Sequence, residues 1–105
     1  MSGIRTAIRY AKALVNFAKE LDQAKEVYHD MILVAQTVAE NKELQIVLES
    51  PVIKSSAKRD VLLALFQDNT TTTTIGLIDL LIENRRLSLL GEVAKQYTIL
   101  HDYLR

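Results

Sequence analysis

Ser55, Ser56, Ala57 and Lys58 form the pattern Ser-x-x-Lys. Penicillin-binding proteins use this pattern to pair a serine nucleophile with a lysine. Those enzymes also need further motifs and a much larger fold than a chain of 105 residues provides. The alternative interpretation is a helix start, in which a serine caps the first turn and the lysine is solvated. We adopt this interpretation.

The other titratable residues do not combine into a recognisable site. His29 and His101 are far apart in the sequence and have no flanking ligand pattern, whereas a zinc site usually needs three or four ligands. Asp79 and Glu83 are four residues apart and could act as paired carboxylates. We interpret them as solvated charges on a helix face, or as contacts to a basic partner residue. We therefore expect no catalytic residue, no metal site and no cofactor.

The charge balance argues against nucleic acid as a partner. Lysine plus arginine and aspartate plus glutamate number 13 each, so the formal net charge is zero. Nucleic-acid-binding domains normally show a basic excess or a basic stripe. Arg85 and Arg86 could bind a carboxylate or phosphate, but two residues do not make a patch. We therefore expect a protein partner.

Two further absences bear on location. No apolar run approaches the ~20 residues that a membrane-spanning helix needs, so we expect no direct membrane insertion. Arg5 and Arg9 lie within the first periodic segment, which gives the N-terminus no signal-peptide pattern. The chain also lacks cysteine, which excludes disulfides. The missing signal pattern predicts a cytoplasmic location, whereas the lack of cysteine does not indicate a compartment.

The elements that position these residues are predicted to be helices. Asp22 is the expected N-cap of the second helix and Ser55 or Ser56 that of the fourth, while Pro51 ends the third. Thr70 to Thr74 are expected to supply a cap and the first turn of the fifth helix. The predicted helices cover about residues 4–20, 22–40, 42–49, 56–67, 75–84 and 88–104. This pattern predicts an all-α fold, a six-helix bundle.

The first and fifth helices carry more apolar surface than one core face requires. Apolar residues cover roughly 220° of the first helical wheel, against the ~100° that a surface helix needs. The excess on the first helix is a row of Tyr10, Ala13 and Phe17. On the fifth helix it is Leu77 and Leu80, beside Gly76. Either both helices are central in the bundle, or the two flanks form a groove for a partner helix.

Three segments of the chain match a known sequence pattern. They are Tyr10 to Leu14 with Phe17-Ala18, Leu48 to Ile53, and Leu80 to Leu87 with Leu89-Leu90 and Glu92-Val93. Together they resemble the delta subunit family of F-type ATP synthase, known in mitochondria as the oligomycin sensitivity conferral protein. The first is similar to the family's opening signature, the second to its helix-ending proline segment and the third to the junction of its fifth and sixth helices. They occur in the order and spacing of that family's N-terminal part, across nearly the whole chain.

The resemblance implies a non-catalytic stator domain built as a six-helix bundle. In the family, a groove between helices one and five binds the N-terminal helix of an alpha subunit of the catalytic head. Carried over by position, this implies that Tyr10, Ala13, Gly76 and Leu80 line the groove. Phe17 and Leu77 are added here because helix geometry places them beside those residues. The domain would thereby link the catalytic head to the peripheral stalk during proton-driven ATP synthesis.

The resemblance also sets expectations for the whole protein. Residues 1–105 are expected to be one N-terminal domain, without the C-terminal domain through which the family meets the b subunits of the peripheral stalk. The expected location is the cytoplasmic face of the bacterial inner membrane, as a peripheral part of the complex. Arg85 stands where the family often has glycine, which predicts that the left-handed helix terminator moves back to Asn84.

Two other functions remain as alternatives. One is an unrelated helical interaction module, such as a death-domain-like bundle that self-associates. Such modules generally recognise one another through charged surfaces, whereas the excess surface here is apolar. The other is a small enzyme or regulator, which the absence of a convergent set of titratable residues disfavours.

Overall fold

The computed structural model describes residues 2–104, which form six α-helices and one 3-10 turn. The described residues contain no strand, so the predicted all-α six-helix bundle is confirmed. Within the same residues, every helix is too short or too polar to cross a membrane. The elements are α1 (Ser2–Glu20), α2 (Ala24–Glu40), α3 (Lys42–Glu49), α4 (Ser55–Phe66), α5 (Thr72–Glu83), the 3-10 turn (Leu87–Leu89) and α6 (Leu90–Leu104).

The core is centred on α6, which packs closely against both α1 and α2. Tyr97 is the largest of its fully buried side chains. Gly91, in the first turn of α6, allows the close approach to α2, because an added Cβ would lie 2.8 Å from Cγ1 of Val38. The alanines of α1 likewise allow a close approach between helices. Ala7, Ala11 and Ala18 are all fully buried, so α1 approaches its neighbours along a small-residue face.

The turn between α1 and α2 differs from the prediction. Asp22 is not the N-cap of α2; it has φ 56°, the left-handed conformation that ends α1. The amide of Gln23 donates to the carbonyl of Ala18 (2.7 Å) and that of Asp22 to Lys19 (3.0 Å), which is the hydrogen-bond pattern of a Schellman motif. Gln23 therefore takes the N-cap position of α2.

The end of α5 repeats this motif and corrects a second prediction. Arg85 itself has φ 58°, whereas Asn84 keeps φ −89°. The amide of Arg86 donates to Leu81 (2.7 Å) and that of Arg85 to Ile82 (3.0 Å). The left-handed position thus stays where the family often has glycine, and the arginine adopts it. The 3-10 turn that follows delays α6 to Leu90, two residues later than predicted.

The entry to α4 contains two further corrections. Its N-cap is Lys54, which makes no side-chain cap, and Ser55 is already the first helical residue, so neither predicted serine caps this helix. Lys58 is not simply solvated. Its ammonium donates to the carbonyls of Leu48 (3.1 Å) and Ser50 (2.8 Å), which lie at the end of α3. The lysine of the Ser-x-x-Lys pattern therefore joins α3 and α4.

Asp79 is paired within the chain rather than merely solvated. Arg59 of α4 donates to both oxygens of this carboxylate on α5, at 2.6 and 3.2 Å. The hydrogen bond from Arg59 and its positive charge lower the pKa of Asp79. The pair orients α4 against α5, and it leaves Asp79 satisfied without an external partner.

Candidate functional site

A long apolar groove lies between α1 and α5. These helices are not a closely packed pair, because α1 packs on α6 and α2 while α5 packs on α4 and α2. The space between them is a cavity of about 620 Å³ that is open to solvent. Its walls are almost entirely hydrocarbon. The lining residues are Tyr10, Ala13, Leu14, Phe17 and Leu21 on the α1 side, and Thr72, Thr73, Gly76, Leu77 and Leu80 on α5.

The groove has small, accessible residues beside large apolar ones. Ala13 and Gly76 are both exposed, and a Cβ built on Gly76 would meet nothing within 4 Å. Phe17 and Leu80 remain 49% and 43% exposed. Leu77 is only 5% exposed and joins the groove to the core. Large half-exposed side chains beside open, small-residue positions are suited to a helix that approaches closely.

A side-chain hydrogen bond links the two walls at each end of the groove. At one end the Asn84 amide donates to the hydroxyl of Tyr10 (2.6 Å). At the other end the hydroxyl of Thr73 donates to the side-chain carbonyl of Gln23 (2.7 Å). Since Tyr10 precedes Gln23 on one wall and Thr73 precedes Asn84 on the other, α1 and α5 run antiparallel. Tyr10 to Leu21 spans about 16 Å of helix, or three turns.

Asp30 of α2 fixes the start of α5. This buried carboxylate accepts hydrogen bonds on one oxygen from the amide of Thr71 (2.9 Å), its hydroxyl (2.8 Å) and the hydroxyl of Thr74 (2.7 Å). The hydroxyl of Thr71 in turn accepts from the amide of Thr74 (3.3 Å). A carboxylate at a helix N-terminus is stabilised by the unpaired amides and the helix dipole. The threonine run thus provides the predicted cap and first turn.

Tyr97 lies in the core next to this carboxylate. Its hydroxyl donates to the carbonyl of Ala24 in the first turn of α2 (3.1 Å). Burial, together with the negative charge of Asp30, raises the pKa of Tyr97 to about 12. Tyr97 is therefore a neutral donor that holds α6 against α2, and it has no exposed reactive group.

The two histidines flank one tyrosine and form no ligand set. The ring of His101 stacks on Tyr28 with centroids 4.0 Å apart, and His29 meets the same ring edge-on at 6.0 Å. Among residues 2–104, no group of three or more histidine, aspartate or glutamate side chains is placed to hold a metal ion. The apolar groove is accordingly the feature best suited to bind a partner.

Comparison with known proteins identifies the family. The family model described as "ATP synthase delta (OSCP) subunit" matches residues 6–105. The chain belongs to this family. It is 46% identical over 99 residues to ATP synthase subunit delta of Christiangramia forsetii, covering 94% of this chain and 53% of that protein. It is 44% identical over 102 residues to the same subunit of Flavobacterium psychrophilum, covering 97% and 57%. The chain thus spans about half the length of the curated delta subunits it matches.

In this member of the delta family, the six predicted groove residues lie together. Tyr10, Ala13 and Phe17 line one wall, and Gly76, Leu77 and Leu80 line the other. The sequence analysis does not place Thr72 and Thr73 in the groove, since it assigns them only to the cap and first turn of the fifth helix. It also missed Leu14 and Leu21, although both lie within three to four residues of Phe17 and so share its helix face.

Asp30 was also missed as the residue that positions α5. A signal for it exists in the sequence, because Asp30 falls within the apolar stripe of Val27, Met31 and Val34 at helical spacing. A charged residue at a core position is rarely buried unless it is hydrogen-bonded. The pattern therefore indicated a buried carboxylate, but not that its partners would be the threonines 41 to 44 residues further on.

Proposed function

We propose that this chain is a non-catalytic adaptor domain of the stator of F-type ATP synthase, and that its groove binds the N-terminal helix of an alpha subunit. The observation that carries the proposal is the apolar groove between α1 and α5, which exposes Phe17 and Leu80 beside the open positions of Ala13 and Gly76. By binding the catalytic head, the domain would keep the head from turning with the rotor.

Family membership supports the choice of partner. The matched proteins are named ATP synthase subunit delta, so a subunit of the same complex is the natural occupant. The groove length of about three helical turns suits a short amphipathic helix. We propose that contacts with the b subunits of the peripheral stalk are made by the part of the delta subunit that this chain does not span. The proposed location is the cytoplasmic face of the bacterial inner membrane, as a peripheral part of the complex.

The test places a charge in the groove. Ala13→Asp should abolish binding of an alpha-subunit N-terminal peptide, because a bound helix would desolvate an unpaired carboxylate at a cost of several kcal/mol. The free domain should unfold at nearly the same temperature, since Ala13 faces water in the absence of a partner. Calorimetric titration with the peptide, alongside thermal melts, measures both effects. Unfolding of the Ala13→Asp variant would show that Ala13 is core and that the groove is misassigned.

A matched control separates groove effects from general helix effects. Ala64→Asp introduces the same charge at an exposed helical position of α4, outside the groove, and should leave peptide affinity unchanged. Leu80→Ala should weaken binding by about 1–3 kcal/mol through lost apolar contact. Leu65→Ala, a similarly exposed leucine on α4, should have no such effect. Equal losses at both leucines would contradict the proposed site.

Self-association through the groove is the second candidate function. A helical interaction module could pair two copies of the chain by their apolar flanks instead of accepting an alpha-subunit helix. Sedimentation at increasing concentration distinguishes the two, because only self-association gives a dimer that Ala13→Asp dissociates. We favour the alpha-subunit helix, since the chain belongs to the ATP synthase delta family.

A further inference from the structure

The polar groups at the two ends of the groove are not equivalent. At the Tyr10 end, the tyrosine oxygen accepts from the Asn84 amide, so its own hydroxyl proton remains able to donate. At the Thr73 end, the threonine hydroxyl donates its hydrogen bond to the side-chain oxygen of Gln23, so only the lone pairs of its own oxygen remain, and these accept. One end therefore offers a donor to an occupant and the other an acceptor.

Most of the charges beside the Tyr10 end are positive, which matches the donating hydroxyl there. Arg9 precedes Tyr10, while Arg85 and Arg86 follow Asn84; all three are exposed, and one carboxylate, Glu83, lies among them. We name this region the donor end.

At the opposite end, Glu20 and Asp22 adjoin Leu21 and are exposed. At about 100° per residue, Glu20 flanks Phe17 on the groove side of α1, whereas the neighbouring cation, Lys19, projects from the far side. We name this region the acceptor end. Between the two ends the lining residues are apolar, so the polar groups of the lining lie where the groove begins and ends.

We propose that the groove binds an amphipathic helix in one orientation, with acidic side chains at the donor end and basic side chains at the acceptor end. This inference rests on the proposed function and adds to it the direction and charge pattern of the occupant. The apolar walls supply affinity without direction, because a hydrophobic stripe fits with either polarity. The polar ends make the binding free energy differ between the two orientations, since charge complementarity commonly gives interfaces their specificity.

The left-handed arginine is part of this arrangement. Arg85 occupies a position with φ 58°, where glycine would avoid the strain that a Cβ introduces. Within the chain, the backbone hydrogen bonds of the Schellman motif require only that conformation and no particular side chain. An arginine there adds an exposed positive charge next to Asn84, which holds the Tyr10 hydroxyl. The side chain is thereby placed to meet an acidic group on the occupant.

A designed peptide tests the orientation directly. The probe is a three-turn helix with a leucine–alanine stripe, two glutamates at one end, two lysines at the other and blocked termini. A nitroxide is attached at the glutamate end, and amide signals of the 105-residue chain are recorded by NMR. The expected result is strong relaxation at Tyr10 and Asn84 with weak relaxation at Leu21 and Thr73. Equal relaxation at both ends would overturn the inference and leave the proposed function intact.

A second experiment reverses charges at the donor end. Arg9→Glu combined with Arg85→Glu should lower the affinity for the peptide about three- to tenfold at low salt. The loss should be smaller at high salt, because salt screens the charges. The same variant should remove the orientation preference. Lys12→Glu with Lys54→Glu changes the net charge equally at exposed positions outside the groove lining, and should change affinity by less than about twofold. An equal loss in this control pair would overturn the inference.

The hydroxyl itself is tested by Tyr10→Phe, which keeps the ring and removes the donor. Binding should weaken about two- to fivefold, with the unfolding temperature unchanged, because the bond to Asn84 is exposed. Ala13→Asp serves as the reference for the site as a whole. Two results together would contradict the proposed function, and this inference with it. They are that the nitroxide enhances relaxation of the amides at neither end of the groove, and that Ala13→Asp does not alter the affinity for the peptide.

Discussion

At the scale of single residues, two of the three glycines lie in opposite surroundings. Gly91 has Val38 against it, whereas Gly76 faces open space at an exposed position of α5. A glycine inside a helix costs about 0.5–1 kcal/mol relative to alanine. Gly91 is explained by packing within the chain. Gly76 has no such internal reason, and the close approach of a partner helix would provide one.

Gly76→Ala is therefore expected to stabilise the free domain and weaken its binding. The gain should be about 0.5–1 kcal/mol, while affinity for an alpha-subunit peptide should fall because the new methyl group fills the groove. Chemical denaturation and calorimetric titration measure the two effects. Gly91→Ala is the contrast: it should destabilise the domain by about 1–3 kcal/mol through the clash with Val38. A Gly76→Ala variant that binds normally would remove the functional reason for this glycine.

Tyr97 gives a pH dependence whose sign follows from its raised pKa. The neutral phenol is favoured in the folded state, where its pKa is about 12, over the ordinary 10.0. Its contribution to stability is therefore complete below pH 10.0 and is lost as pH rises toward 12. Ultraviolet absorbance of the folded chain should show a tyrosine component ionising at about pH 12 that Tyr97→Phe removes. Persistence of that component in Tyr97→Phe would show that another residue is responsible.

At the scale of elements, Asp30 determines where α5 begins and hence where its wall of the groove lies. Asp30→Ala leaves two hydroxyls and the Thr71 amide without their shared acceptor. The free energy of unfolding should fall by about 2–4 kcal/mol, with Asp30→Asn losing less because an amide oxygen still accepts. Asp60→Ala, at an exposed position of α4, should change stability by no more than about 0.5 kcal/mol. Denaturant melts compare the three, and equal losses at Asp30 and Asp60 would contradict the assignment.

The helices were predictable from sequence because their signals are local. Apolar periodicity, Pro51 and the side chain of Asn41, which accepts from the amide of Leu44, all act within a few residues. The wrong predictions of helix ends concern caps, where residue preference and geometry disagree. Asp22 is a favourable N-cap residue, yet the Schellman bonds at the end of α1 place it one residue too early. Asn84 tolerates a positive φ better than arginine does, yet the Schellman bonds at the end of α5 place that conformation at Arg85.

The groove was predictable for a related reason. Its two walls carry apolar surface beyond what the core requires, and that excess is visible on each helical wheel separately. What the sequence could not provide is the distance between the walls. That distance depends on contacts between residues far apart in the chain, including Asn84 with Tyr10 and Thr73 with Gln23. Side-chain identity alone does not reveal such pairs.

At the scale of the whole molecule, the bundle is unevenly packed. α2 and α6 share the interior and contain fully buried residues such as Val34 and Val93. α4 contributes only Leu62 and Phe66 as buried side chains and packs mainly on α5. Local opening in proteins follows buried contact, so elements with few buried residues open at lower free energy than the core. α4 should therefore lose structure before α2 and α6 do.

Native-state hydrogen exchange tests this unevenness. Amides of α2 and α6 should exchange only through global unfolding, whereas those of α4 should exchange through an opening about 2 kcal/mol or more below it. Binding of an alpha-subunit peptide should slow exchange in the groove segments of α1 and α5, because the peptide binds only the folded state of those walls. α4 lies behind α5, outside the groove, and should keep its own opening rate. If α4 became as protected as α5, the peptide would have to bind a surface other than the groove.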